Sequence, residues 1–114
     1  MKKVIADKWV KALRSKKYKQ GEGQLRTGKN EFCCLGVLCN LHAQEHPKFA
    51  ATQTDAGLYD DQNSFPSKLV QKWAGLKNSC GDFNSPDGSL VDMNDGGNNF
   101  LEIAEVIEKN WRKL

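Results

Sequence analysis

With 114 residues, of which 39% are hydrophobic and 27% charged, the chain has the length for one domain and the apolar content for one core, which excludes global disorder and any need for disulfide staples. No stretch approaches the length of a membrane span, and Met1-Lys2-Lys3-Val4-Ile5-Ala6-Asp7 has basic residues with no apolar run behind them, so neither membrane insertion nor export is expected and the predicted compartment is the cytoplasm. The net charge of +3 hides an asymmetry: residues 1–30 carry ten Lys or Arg against Asp7 and Glu22, a balance of +8, whereas residues 31–114 carry seven against twelve acids, a balance of −5. Such a basic N-terminal third suits a nucleic acid, an acidic protein or a phosphorylated ligand, although a charge run is most often only a solvated helix face.

In chain order, Ile5, Trp9, Ala12 and Leu13 recur at helical spacing with Lys8, Lys11 and Arg14 on the other side, which predicts a first helix over 4–15. Residues 15–23 have two glycines and no periodicity and read as a basic loop. Gln24-Leu25-Arg26 and Asn30-Glu31-Phe32 flank Thr27-Gly28-Lys29, the pattern of a short β-hairpin whose second strand runs into the next helix.

That helix, predicted over 32–46, contains the only long apolar run, Phe32-Cys33-Cys34-Leu35-Gly36-Val37-Leu38-Cys39. Helical winding puts Phe32, Leu35, Leu38, Cys39, His42 and His46 on one side, with Cys34, Leu41 and Glu45 beside them and Val37 opposite. Burial nearly all round is therefore expected, and this element is the predicted centre of the core. Adjacent Cys33 and Cys34 on a buried helix, in a chain with no export signal, imply reduced thiols for all four cysteines.

Pro47 ends the helix, and the polar residues 48–64 predict the longest irregular and most mobile segment. A third helix is expected from Pro66 to a C-cap at Gly75, with Leu69, Val70, Trp73 and Leu76 inward. Ser85-Pro86-Asp87-Gly88 is turn chemistry between Cys80–Phe83 and Leu90–Met93, so residues 78–93 read as a second hairpin, followed by a turn at 94–97. Asn99 with Glu102 opens the last helix, which turns Phe100, Ile103, Ala104, Ile107, Trp111 and Leu114 to one face. The fold class is α+β: one domain over 1–114 with about four helices, one or two short hairpins and the Cys-rich helix buried. Trp9, Leu13, Phe32, Leu35, Leu38, Leu69, Trp73, Phe100, Ile103, Ile107 and Trp111 are the expected core.

No catalytic set assembles from the spacing. Cys33 or Cys34 near a helix start could be a nucleophile, but Cys34 and His42 lie about 12 Å apart along a helix, and a thiolate–imidazole pair needs roughly 3–4 Å. Cys39, His42 and His46, with Cys80, would have to ligate zinc across about 10 Å of straight helix. Asp92, Asn94 and Gly97 imitate the start of a calcium loop, but Ile103 stands where its glutamate would be, and Gly21-Glu22-Gly23 fits no nucleotide fingerprint. No metal and no cofactor is expected. Asn94, Asp95 and Asn99 read as turn and cap residues.

Trp9-Val10-Lys11-Ala12-Leu13-Arg14-Ser15, Tyr18-Lys19-Gln20-Gly21, Gln24-Leu25-Arg26, the cysteine run, Trp73-Ala74-Gly75-Leu76, Asn94-Asp95-Gly96 and Phe100-Leu101-Glu102-Ile103-Ala104 together resemble small proteins encoded by tailed bacteriophages and prophages, a family without an assigned activity. The resemblance covers most of the chain except residues 43–64 and implies a phage-borne protein acting in the cytoplasm of an infected bacterial host. Where that family often has an acidic residue after the third cysteine of the run, this chain has Asn40, which removes a carboxylate from that place. The expected function is a non-catalytic binding protein acting on a host protein or an anionic small molecule. Its expected site is Arg14, Lys17, Tyr18, Lys19, Gln20, Gln24 and Arg26, displayed near the N-terminus of the Cys-rich helix, where free backbone N–H groups favour anions. The alternative is a nucleic-acid-binding accessory protein, with Lys2, Lys3, Lys8, Lys11, Arg14, Lys16, Lys17 and Lys19 on phosphates and Tyr18 stacking on a base.

Overall fold

Apolar residues at helical spacing make the first helix, α1 (Lys3–Arg14), which buries Ile5, Ala6, Trp9, Val10 and Leu13 and leaves its lysines in solvent. The computed structural model describes residues 1–50 and 58–114. Three very short strands come next in the chain: β1 (Lys19–Gln20), β2 (Arg26–Gly28) and β3 (Glu31–Phe32). They form one sheet in the order β1-β3-β2, with β1 parallel to β3 (Lys19 opposite Glu31) and β2 antiparallel to it (Arg26 opposite Phe32).

The hairpin expected at 24–32 is therefore present, with its first strand displaced to 26–28, but the basic loop also supplies a strand. Lys19 N–H donates to Asn30 O and Gly21 N–H to Phe32 O. A two-residue polar strand has no period to read, so β1 is set by these long-range bonds alone.

Phe32 belongs to β3, and the Cys-rich helix α2 (Cys34–Glu45) starts after Cys33, whose Sγ accepts from Gly36 N–H at 3.3 Å. Its residues Cys34 to Cys39 are all buried, as the apolar run requires. Gly36 is needed for a close approach: a Cβ there would lie 1.7 Å from the carbonyl oxygen of Leu25, whose chain crosses the helix at this point. Trp9 anchors α1 to the same helix, its indole N–H donating to Cys34 O at 2.9 Å.

After α2 the segment expected to be irregular begins with a helical turn, α3 (Pro47–Ala50), and further on buries Tyr59; its residues 51–57 lie outside the described residues. Helix α4 (Lys68–Ala74) starts two residues beyond Pro66 because Ser67 is its N-cap, and it ends on Gly75 at φ 73°, the left-handed cap the sequence predicts. Val70 and Ala74, four residues apart, are its buried pair. Leu69, expected in the core, is 42% exposed, and Trp73 is half-buried at the edge.

The second hairpin does not form. Residues 90–93 belong to a helix, α5 (Leu90–Asp95), because Ser89 and Asp92 make a reciprocal capping box. The predicted turn exists, with Gly88 N–H donating to Ser85 O, but it delivers the chain into a helix start rather than a return strand. The last helix, α6 (Phe100–Asn110), opens on the expected Asn99–Glu102 box and buries Phe100, Ile103, Ala104 and Ile107; Trp111, expected inside, is half-buried at its C-cap. The result is an α+β domain with six helices and a three-stranded mixed sheet among the described residues, in place of the four helices expected. No helix among them is long and apolar enough to cross a membrane.

Asn94 also departs from expectation. It is no surface turn but lies in α5, 1% exposed. Its Oδ1 accepts from Cys34 N–H (3.1 Å) and from Gln20 Nε2 (2.9 Å), and its Nδ2 donates to Gly21 O (2.8 Å). It does cap a helix, but that helix is α2 rather than α6. Replacing it by alanine orphans a buried donor and a buried acceptor, so Asn94→Ala is expected to cost about 2–4 kcal/mol. Urea unfolding measures this as a lower midpoint at unchanged slope; a loss below about 0.5 kcal/mol would class the contact with ordinary surface positions.

Candidate functional site

The seven residues expected at a ligand site do not converge. Arg14 pairs with Glu108 of α6 at 2.8 Å, and Lys19 lies 3.6 Å from Glu31 across the sheet. Arg26 turns back on its own hairpin, donating through Nε to Gly28 O and through a terminal nitrogen to Lys29 O, with its guanidinium 5.8 Å from the Phe32 ring centre. Gln20 points inward to Asn94 and to Asn98 O. Gln24 lines a cleft of about 170 Å³ at the N-terminus of α2, and none of Arg14, Lys19 or Arg26 lines that cleft with it.

That helix end is also a poor anion site. Cys34 N–H is taken by Asn94 and Gly36 N–H by Cys33 Sγ. Asp95 lines the same cleft, its Oδ1 accepting from Gly23 N–H at 3.1 Å, so an entering anion would meet a carboxylate. Asp95 is thus a loop tie and Asn99 the cap of α6.

Lys17 and Tyr18, by contrast, do border a concave surface. The C-terminal half of α1 and the outer side of α2 leave between them an open groove of about 320 Å³. Ala12, Leu41 and the Tyr18 ring, all partly buried, make its apolar floor. Helical spacing puts Lys8, Lys11, Ala12 and Ser15 on one wall and Leu41, Gln44 and Glu45 on the other, with Lys17 and Tyr18 at the end.

Tyr18 is held rigidly, edge-on to Phe32 at 5.4 Å, with its hydroxyl accepting from Asn40 Nδ2 at 2.6 Å. Lys8 pairs with Glu45 across the groove. Lys11 and Lys17 make no ion pair among the described residues, and together with Ser15 they also line a second concavity on the other side of α1, with Arg14 and Glu108. The polar face of α1 is legible in the sequence; that Leu41, Gln44 and Glu45 oppose it is not, because no local signal records which face of α2 meets α1.

The histidines are structural. His42, 1% exposed, has Nδ1 2.6 Å from Tyr59 Oη, stacks on His46 at 4.3 Å and meets Phe49 and Trp73 edge-on. Burial, and next the adjacent His46, lower the pKa of His42, while Asp60 and Glu45 oppose that shift more weakly. Burial raises the pKa of the Cys33, Cys34 and Cys39 thiols, so at neutral pH they are protonated and weakly nucleophilic. Among the described residues no three His, Cys, Asp or Glu side chains are grouped to hold a metal ion.

A family model described as a domain of unknown function (DUF8296) matches residues 1–111. No curated protein and no solved structure matches the chain.

The site chemistry leads to two expected outcomes. A thiol reagent should modify Cys80, the one half-exposed cysteine, within minutes in the native protein and all four cysteines in denaturant; fast labelling of Cys33 or Cys34 would show an accessible thiolate. The second outcome concerns pH. Because the folded state lowers the pKa of His42, the unfolded chain takes up the proton first. Stability from the neutral ring is complete above about pH 6.5 and falls as the pH drops below that value, by up to about 1.4 kcal/mol per unit, until the folded-state pKa is passed. Urea midpoints of the wild type should decline from pH 7.5 to pH 5 more steeply than those of His42→Gln, and parallel declines would remove His42 as the cause.

Proposed function

The chain belongs to the DUF8296 family, a domain of unknown function, and we propose that it is a small phage-borne, non-catalytic binding protein that engages an acidic surface of a host protein in the infected bacterial cytoplasm. The observation that carries the reading is the α1/α2 groove, in which an apolar floor of Ala12, Leu41 and Tyr18 is bordered by Lys8, Lys11 and Lys17. A rigid apolar floor with cationic edges has the anatomy of a protein-binding patch, where the centre supplies burial and the charged rim supplies orientation and encounter rate.

The reading is supported against two others. A small anionic metabolite is usually enclosed over most of its surface, and the groove is open along its length. A nucleic acid needs an uninterrupted cationic track, whereas Asp7, Glu45 and Glu108 interleave with the lysines around α1. The buried, protonated thiols of Cys33, Cys34 and Cys39 favour binding over cysteine-dependent catalysis.

The test is native mass spectrometry of the protein recovered from phage-infected cells, comparing the wild type with Lys11→Glu/Lys17→Glu. Both side chains are exposed, so the variant should fold normally. The wild type should carry a stoichiometric acidic protein whose affinity falls about tenfold or more in the variant. Equal retention by both proteins, or nucleic acid as the retained species, would overturn the reading.

A further inference from the structure

We propose that Glu45 stands in, within the free protein, for a carboxylate of the partner, and that the groove takes an acidic amphipathic helix that displaces Glu45 from Lys8. This inference rests on the proposed binding role and names the shape and chemistry of the occupant.

Three features argue for it. Lys8 and Lys11 stand three residues apart on α1, one above the other along the groove wall, separated by roughly one helical turn. Acidic side chains three or four residues apart on a facing helix are spaced about 5–6 Å and match that separation. The floor between the walls is apolar, suited to aliphatic side chains at helical spacing, the usual mode by which a helix lies in a groove. The charge is one-sided: lysines line the α1 wall, while the α2 wall has neutral Gln44 and the single carboxylate of Glu45. A helix seated there needs carboxylates along one edge only.

Glu45 already makes the contact such an edge would make. It accepts from Lys8 Nζ, and this hydrogen bond is the chief reason its carboxyl lies below the ordinary range. The pair is well solvated, with side chains 47% and 36% exposed, and exposed pairs of this kind contribute little to the fold. Exchanging one carboxylate for another on Lys8 is therefore nearly neutral for the domain, and a bound helix has to compete with Glu45 for the lysine. Removing the charge of Glu45 while keeping its shape leaves Lys8 for the partner.

The experiment uses the full chain and a synthetic amphipathic helix of about 14 residues, four turns, with leucines along one stripe and glutamates along one edge of it, read by fluorescence anisotropy. Glu45→Gln should bind this peptide about two- to fivefold more tightly than the wild type, with an unchanged unfolding midpoint. A peptide with the glutamates changed to glutamines should bind weakly to both proteins and lose the difference between them. No tightening in Glu45→Gln, or equal binding of the charged and neutral peptides, overturns the exchange. Displacement of the charged peptide by random-sequence duplex DNA at lower concentration than by the peptide itself overturns it in favour of a nucleic-acid surface. If Glu45→Gln changes nothing while Lys11→Glu/Lys17→Glu still loses the host partner, the exchange alone fails; if the wild type carries no partner and binds neither peptide, the binding role itself fails.

Discussion

The cap and first residue of α2, Cys33 and Cys34, are buried, and a helix start in that position has backbone N–H groups that something else must satisfy. The primary amide of Asn94 does so. Cys33, the local cap, offers only a sulfur, a weak acceptor, and that sulfur reaches Gly36 rather than Cys34. Asn94 takes the Cys34 N–H and, because an amide is both acceptor and donor, also holds Gln20 and the Gly21 carbonyl. The sheet, the central helix and α5 thus meet on one side chain. Around that point the apolar residues of α1, α2 and α6 close without a buried side-chain polar atom lacking a partner among the described residues.

The features legible in the sequence divide from the rest along a physical line. Helices with several turns of one apolar face, α1 and α6, and the uninterrupted apolar run of α2 are readable because periodicity averages over many residues. Gly75 and the Asn99–Glu102 box are readable because the cap chemistry is local. Helix α5 has six residues and too few turns to show a face, and Ser85-Pro86-Asp87-Gly88 marks a turn without specifying whether a strand or a helix comes after it. The Ser89–Asp92 box was the available signal, a Ser-x-x-Asp variant of the usual pattern with glutamate.

Lys17 and Tyr18 border the groove because the basic stretch that follows α1 runs along its end. That Arg14, Lys19 and Arg26 lie apart from one another is not legible in the sequence, because their partners, Glu108, Glu31 and the Gly28 and Lys29 carbonyls, are fixed by tertiary or turn geometry. The same geometry tempers the charge asymmetry. Acids from the remainder of the chain fold back onto the basic third through Lys8–Glu45, Arg14–Glu108 and Lys19–Glu31, so Lys11 and Lys17 stand out by position rather than by the number of charges around them.

The reach of Asn94 also bears on the order in which the molecule is made. Its bonds to Gln20, Gly21 and Cys34 span 74, 73 and 60 residues, and the Met1 ammonium bonds the Leu114 carbonyl across 113. Contacts this distant in sequence slow folding relative to a local helical bundle, since the loop must close before any of them forms. At about 5–20 residues per second on the ribosome, α2 emerges several seconds before its cap does. During that interval the apolar helix is without the side chain that caps its start.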